Sequence, residues 1–286
     1  MVQLLLILAL CGGQAGSPVL HPRAGTLRIA VTGDTGKGTD AVGAGIRRVH
    51  AEKPLDAIVL AGDNFYPCGV TSEHDPRWSL VRGVTSIGVP VLPVLGNHDY
   101  CGKADPDAQI RATGVVPNWS FPARRYVVRA GVADFAFLDT TAFLLNKGDP
   151  QLAEAFRSST APWRIVVGHH PVLSSGYHGY FPRDEVKRMR ELIPSLRASR
   201  VDLYIAGHDH HVELIRERML HLISGAGSEP IPPVKLRLRT VFPPEIGIER
   251  VAFAVVEIDA RTIRVRFYDA KARPKSDWIV ARHGPD

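Results

Sequence analysis

Asp34, Asp63, Tyr66, Asn97, His169, His208 and His210 are the side chains of this chain that suit a pair of metal cations. They fall in five short segments: Gly33-Asp34-Thr35-Gly36, Gly62-Asp63-Asn64-Phe65-Tyr66, Gly96-Asn97-His98-Asp99, Val167-Gly168-His169-His170 and Gly207-His208-Asp209-His210. Carboxylate, phenol, amide and imidazole donors together match a divalent or trivalent pair. A carboxylate has two oxygens, so Asp63 is the natural bridge between two cations. Tyr66 lies three residues on and can turn back to the same centre. A phenol with a pKa near 10 favours a strongly acidic cation such as ferric iron. Asn97 offers a neutral oxygen that leaves its cation electrophilic. His98 and Asp99 follow directly, and Asp99 is expected to take the Nδ1–H of His98 and aim that ring at a substrate oxygen. Taken singly, each segment has a plainer reading: a turn aspartate, a core tyrosine bonded to backbone, a polar turn. In combination and in this order they point to a metal centre.

Something must carry these donors to one place. Each segment follows an apolar, β-branched run, at 27–31, 57–61, 89–95, 164–167 and 201–206, and such runs bounded by glycine read as buried strands. Open α/β sheets place their ligand sites at the carboxyl ends of strands. His208 and His210, two apart on an extended segment, would point to one side, with His170 and His211 facing away into supporting or surface roles. Between the motifs we expect helices over 39–52, 76–86 and 149–157, and one from Pro182 to 198. Residues 101–122 read as a loop-rich stretch. Strands are expected at 126–128 and 134–138, as antiparallel neighbours by their pattern, and then at 212–216, 219–223, 250–258, 262–268 and 278–281. An α/β first half running into a β-rich second half predicts two mixed sheets packed face to face with helices outside.

The bulk properties are those of a globular chain: 45% hydrophobic and 22% charged residues. A net charge of +6 would suit a polyanion. Yet Lys235, Arg237, Arg239, Arg264 and Arg266 alternate with apolar residues, which reads as the wet face of strands, and no nucleic-acid partner is expected. Residues 1–16 resemble an export leader, with a short apolar core at 4–10 and a small-x-small site at 13–15, so a periplasmic or extracellular location is expected. Cys11 offers an alternative, a lipid anchor. No run can span a membrane, residues 25–286 read as one domain, and a monomer suffices. Cys68 and Cys101 each follow a metal motif; they read either as one disulfide between neighbouring loops or as two free thiols.

The five segments resemble the calcineurin-like metallophosphoesterases, and more narrowly the purple acid phosphatases of the tartrate-resistant type, whose pattern is GDxG, GDxxY, GNH, VxxH and GHxH. The resemblance extends to Asn118-Trp119-Ser120-Phe121-Pro122, Leu138-Asp139-Thr140 and Ser224-Gly225-Ala226-Gly227. It implies a four-layer α-β-β-α sandwich and a binuclear metal centre that hydrolyses phosphomonoesters, from a small phosphate ester or a phosphoprotein. By that resemblance Asp34, Asp63, Tyr66 and His210 hold Fe(III), while Asp63, Asn97, His169 and His208 hold Fe(II), Zn or Mn. His98 would contact phosphate and His178 would lie near the leaving group. The chain departs from the pattern at Thr35, where tryptophan is common, and at Tyr177, where close relatives carry an acid. The loop between Leu145 and Trp163 is short, so protease-relieved repression is not expected. Alternatives are a phosphodiesterase or nucleotidase on the same centre, an exported phosphate-binding protein, and a surface interaction protein with a large apolar patch.

Overall fold

The computed structural model describes residues 18–146, 151–181, 183–234, 240–242 and 250–281. The leader with Cys11, the residues Lys235, Arg237, Arg239 and Pro182, and the start of the helix expected from 149 lie outside the described residues.

In chain order the elements are β1 (Leu27–Thr32), α1 (Asp40–Glu52), β2 (Ala57–Leu60), a 3₁₀ stretch (Pro76–Val81) running into α2 (Arg82–Thr85), β3 (Val91–Pro93), a 3₁₀ turn (His98–Tyr100), α3 (Pro106–Arg111), β4 (Tyr126–Arg129), β5 (Ala133–Phe137), α4 (Thr140–Asn146), α5 (Leu152–Ala155), β6 (Trp163–Val167), α6 (Tyr177–Tyr180), α7 (Asp184–Arg190), α8 (Ile193–Ala198), β7 (Leu203–Ala206), β8 (Val212–Arg216), β9 (Leu220–Ser224), β10 (Thr240–Phe242), β11 (Ala252–Ile258), β12 (Thr262–Asp269) and β13 (Trp278–Ala281). Two mixed sheets result, ordered β13-β12-β11-β1-β2-β3 and β10-β8-β9-β7-β6-β5-β4. The pair β4–β5 is antiparallel, as expected.

Side-chain alternation explains how the sheets pack. In the second sheet Ile165, Val167, Leu203, Ile205, Leu220 and Leu222 face the first sheet and join its core. Their neighbours Val166, Tyr204, Ala206 and Ile223 turn the other way, under Leu152, Met189, Leu192 and Leu196 of the helical layer. A strand of period two thus feeds two cores at once. On β12, Arg264 and Arg266 take the wetter alternate positions and both pair with Asp277. Among the described residues, no helix is long and apolar enough to cross a membrane.

Several boundaries differ from expectation. The helix expected from Pro182 to 198 is two helices, because Pro194 has no N–H to continue the ladder and sits instead in the first turn of α8. The expected helix over 76–86 begins as 3₁₀, capped by Asp75 with Pro76 behind it. The loop-rich stretch 101–122 holds one short helix: Asp105 caps α3, whose Gln109 becomes important below.

Asp75 also ties the loop that leads out of the second motif. Its carboxylate accepts from the Thr71 N–H and hydroxyl, each at 2.9 Å, and pairs with Arg77 at 2.6 Å, while Arg77 Nη1 donates to the Cys68 carbonyl at 2.6 Å. The Arg77 bonds outweigh burial and hold the Asp75 carboxyl well below its ordinary value of 3.8. A carboxyl lowered on folding stabilises above its unfolded pKa, and that contribution is lost as the pH falls through the folded value. Asp75→Asn should therefore lose about 1–2 kcal/mol at pH 7. Urea unfolding at descending pH should show wild type and variant converging below about pH 4, where wild type alone loses this share.

Candidate metal centre

Asp34 follows β1, Asp63 follows β2, Asn97 follows β3, His169 follows β6, and His208 and His210 follow β7. All are strand ends at one edge of the sandwich. Asp34, Asp63 and His208 have φ of +56°, +53° and +67°, a region that side chains other than glycine seldom occupy. Sharp local turns, not extended backbone, thus throw these side chains inward. The expectation of an extended His208–His210 segment is corrected: the Asp209 and His211 N–H groups bond back two residues, to Gly207 at 2.8 Å and Asp209 at 2.7 Å. Both rings still reach the cluster, each on its own side.

On one side, Tyr66 Oη lies 3.2 Å from Asp34 Oδ1, 3.3 Å from Asp63 Oδ2 and 3.2 Å from His210 Nε2. On the other, His169 Nε2 lies 3.4 Å from Asp63 Oδ1, 3.2 Å from Asn97 Oδ1 and 3.1 Å from His208 Nδ1. Asp63 turns one oxygen to each group, the position a bridge requires. The remaining ring nitrogens are held from behind: His169 Nδ1 by the Ala61 carbonyl and His210 Nδ1 by the Glu229 carbonyl, each at 2.8 Å. Two motif glycines make room. A Cβ on Gly96 would stand 2.1 Å from Asp63 Oδ1, and one on Gly62, at φ +87°, would stand 2.5 Å from His169 Nδ1.

Charge explains what such a cluster can hold. Asp34 and Asp63 are buried, and among the described residues neither pairs with a lysine or arginine. Burial lowers the basicity of His169, but the Asp63 and Asp34 carboxylates outweigh it and push the ring up to about 10. Burial and the same two carboxylates raise the Tyr66 phenol far above its ordinary value. His208 moves the opposite way, lowered by burial and by the neighbouring rings of His169 and His178. The proton on His169 thus offsets buried carboxylate charge, and the neutral Tyr66 hydroxyl only hydrogen-bonds to it; cations would offset that charge more fully. Two carboxylates, a phenol, an amide and three imidazoles around a shared Asp63 fit a metal pair.

The sequence pattern of the calcineurin-like phosphoesterases matches residues 27–212. Purple acid phosphatase 3 of Arabidopsis thaliana is 30% identical over 292 residues, covering 89% of this chain and 77% of that protein. The chain belongs to the calcineurin-like phosphoesterases, in their purple acid phosphatase branch. Tartrate-resistant acid phosphatase type 5 of Sus scrofa is similar too, 28% identical over 256 residues that cover 76% of this chain and 73% of that one. Among solved structures, GAP50, the anchor in the inner membrane complex of Plasmodium, matches with a TM-score of 0.74 at 25% identity over 91% of this chain and 90% of that one. The two mixed sheets are thus the metallophosphoesterase sandwich, and membership makes the chain a metal-dependent phosphoric ester hydrolase.

Around this phosphoesterase centre one expected role changes. Asp99 does not hold His98. Its carboxylate is buried and accepts the Gly96 N–H at 2.9 Å, the Asn64 N–H at 3.2 Å and Gln109 Nε2 at 2.8 Å. Burial and the Asp63 charge push the Asp99 carboxyl up to about 7. The 3₁₀ turn after Asn97 points Asp99 back into the protein, so it braces the loop. His98 Nδ1 instead meets the Pro67 carbonyl at 2.6 Å, and the half-exposed ring stands edge-on to Tyr66 in a cavity of about 510 Å³. His178 packs on the other flank, its ring tilted 48° to that of His208 with the centroids 3.9 Å apart. Tyr177 turns away from the centre, with Arg183 4.1 Å over its ring.

Cys68 and Cys101 form a disulfide that joins the loop after Tyr66 to the loop after His98. His170 and His211 both point inward: His170 Nδ1 is 2.9 Å from Thr140 Oγ1, and His211 Nε2 is 3.1 Å from Glu213. Sequence reasoning missed Glu185, whose Oε1 lies 2.8 Å from His208 Nε2. It stands in an acidic first turn of a helix, which reads as ordinary helix-end charge. Thr140 is marked in the sequence only as part of Leu138-Asp139-Thr140, with no role; its hydroxyl accepts the N–H groups of both His169 and His170.

Gly96→Ala tests the packing of the bridge. The added methyl displaces the Asp63 carboxylate, so the variant should retain less than about half of the wild-type metal per chain by elemental analysis while keeping its cooperative melt.

Proposed function

We propose that the chain is an acid phosphatase that hydrolyses phosphomonoesters at a binuclear centre. Asp34, Asp63, Tyr66 and His210 would hold ferric iron, and Asp63, Asn97, His169 and His208 would hold ferrous iron, zinc or manganese. The observation that carries this reading is the placement of Asp63 between the two donor groups, one oxygen toward each. When bound, such a pair supplies Lewis acidity to the phosphoryl group and a water acid enough to lose its proton at mildly acidic pH.

The protein's own groups supply the rest. His98, steadied by the Pro67 carbonyl, faces the cavity and is placed to donate to a phosphoryl oxygen. His178 is the candidate to protonate the departing alcohol oxygen. Its backbone N–H is fixed by Asp209 at 2.8 Å, which sets the position of its loop. Asp209 belongs to the same turn that presents His208 and His210, so the acid and the metal donors share one support.

The Cys68–Cys101 disulfide supports placing the protein outside the cytosol, in the periplasm or secreted, after removal or lipidation of its leader. We take residues 25–286 as one catalytic domain working as a monomer. The convergence of both histidines on the donors favours turnover over simple phosphate storage, since a binder needs no leaving-group acid.

Asp63→Asn should remove most metal and lower kcat/KM for an aryl phosphate by at least about 100-fold, measured on variant protein of confirmed fold. Full turnover in that variant would remove the bridge. Tyr66→Phe should abolish a visible phenolate-to-iron absorption band, and a colourless wild type would replace ferric iron by a divalent pair. Comparing rates on a monoester, a diester and ATP separates the phosphatase from the phosphodiesterase and nucleotidase readings.

A further inference from the structure

We propose that Glu185 is a positioning residue that sets the tautomer and orientation of His208; the inference rests on the binuclear reading above. Glu185 comes from the first turn of α7, 23 residues before His208, and its Oε1 lies 2.8 Å from His208 Nε2. A carboxylate oxygen only accepts, so His208 carries its proton on Nε2. The lone pair of Nδ1 is thereby left facing His169 Nε2 at 3.1 Å, the side on which Asn97 and Asp63 also gather.

The alternative tautomer would put a proton on Nδ1, aimed into the donor cluster, and remove the ring as a ligand. Among the described residues no other carboxylate reaches Nε2: the ring is nearly buried, and its neighbours His169, His170 and His178 are themselves imidazoles. The same Oε1 stands 3.8 Å from His178 Nδ1, so one carboxylate also lies behind the packed His178–His208 pair. Tyr177, the residue before His178, stands edge-on to that ring at 5.3 Å with Arg183 over its own face, and offers the pair no carboxylate. Carboxylate support of a ligating imidazole is a general device, and removing such a support costs about 10–100-fold in metal affinity.

Chelator competition on the metal-loaded full chain tests the proposal. Glu185→Ala should surrender one of two metal equivalents at about 10- to 100-fold lower chelator concentration, leaving the other where it was. Glu185→Gln keeps an acceptor oxygen and should restore most of the difference. Nitrogen-15 spectra of the metal-free protein should place the His208 proton on Nε2 in wild type and Glu185→Gln, with mixed tautomers in Glu185→Ala. Unchanged retention of both equivalents in Glu185→Ala, equal weakening of both, or a wild-type His208 protonated on Nδ1 would each overturn the proposal. A wild type that binds fewer than two equivalents, with the tautomer pattern as expected, would instead sink the binuclear reading and leave the positioning of His208 standing.

Discussion

Two carboxylates, Asp34 and Asp63, lie buried at the edge of the sandwich without a lysine or arginine beside them among the described residues. Ionised carboxylates are costly to bury unless something positive meets them. Here the compensation comes from imidazoles, a phenol and backbone N–H groups: His208 N donates to Asp34 Oδ2 at 2.8 Å and His98 N to Asp63 Oδ1 at 2.9 Å. The arrangement concentrates negative charge in a place where a small, highly charged ion can neutralise it better than protons do. Most other unusual features at this edge follow from holding those two side chains.

Backbone conformation is one of them. Asp34, Asp63 and His208 all sit in the left-handed region, and each such residue costs on the order of 1–3 kcal/mol. That strain persists only because the surroundings leave no alternative. β1 is buried along its whole length between β2 and β11, and β7 is held between β6 and β9, so the chain leaves each strand in a fixed direction. The glycines then matter as empty space: at Gly96 and Gly62 the neighbouring Asp63 and His169 side chains occupy the volume a methyl group would need.

A second tier of contacts keeps the loops in register. Trp119 Nε1 donates to the Gln109 carbonyl at 2.8 Å, Gln109 Nε2 donates to Asp99, and Asp99 accepts from Gly96 and Asn64, so a chain of bonds runs from α3 to the two turns that carry Asn97 and Asp63. The disulfide joins the outer parts of the same loops. His98 is left in the cavity wall with its Nδ1 against backbone and its Nε2 4.0 Å from Asp63 Oδ2. On the far flank, Ser175 and His211 converge on the buried Glu213, which anchors the His178 loop to β8.

The order of the candidate donors and their place after strands were readable from residue types, because apolar runs ending in glycine and a polar side chain leave few other structures open. The division of β6, β7 and β9 between two cores was not legible, because a continuous apolar run marks a strand as buried without saying which core each face joins. Local pattern could not say how a turn folds, so the His208–His210 segment was read as extended when γ-like bonds bend it. Nor could it separate Asp99 from His98, adjacent in sequence but sent in opposite directions by a single 3₁₀ turn. Glu185 shows the limit most plainly: nothing in a helix-end acid reveals that it meets a histidine 23 residues away. Composition and spacing determined which chemistry this chain can perform. Which groups touch was decided by tertiary packing, since contact between distant strand ends depends on the path of the whole chain rather than on neighbours in sequence.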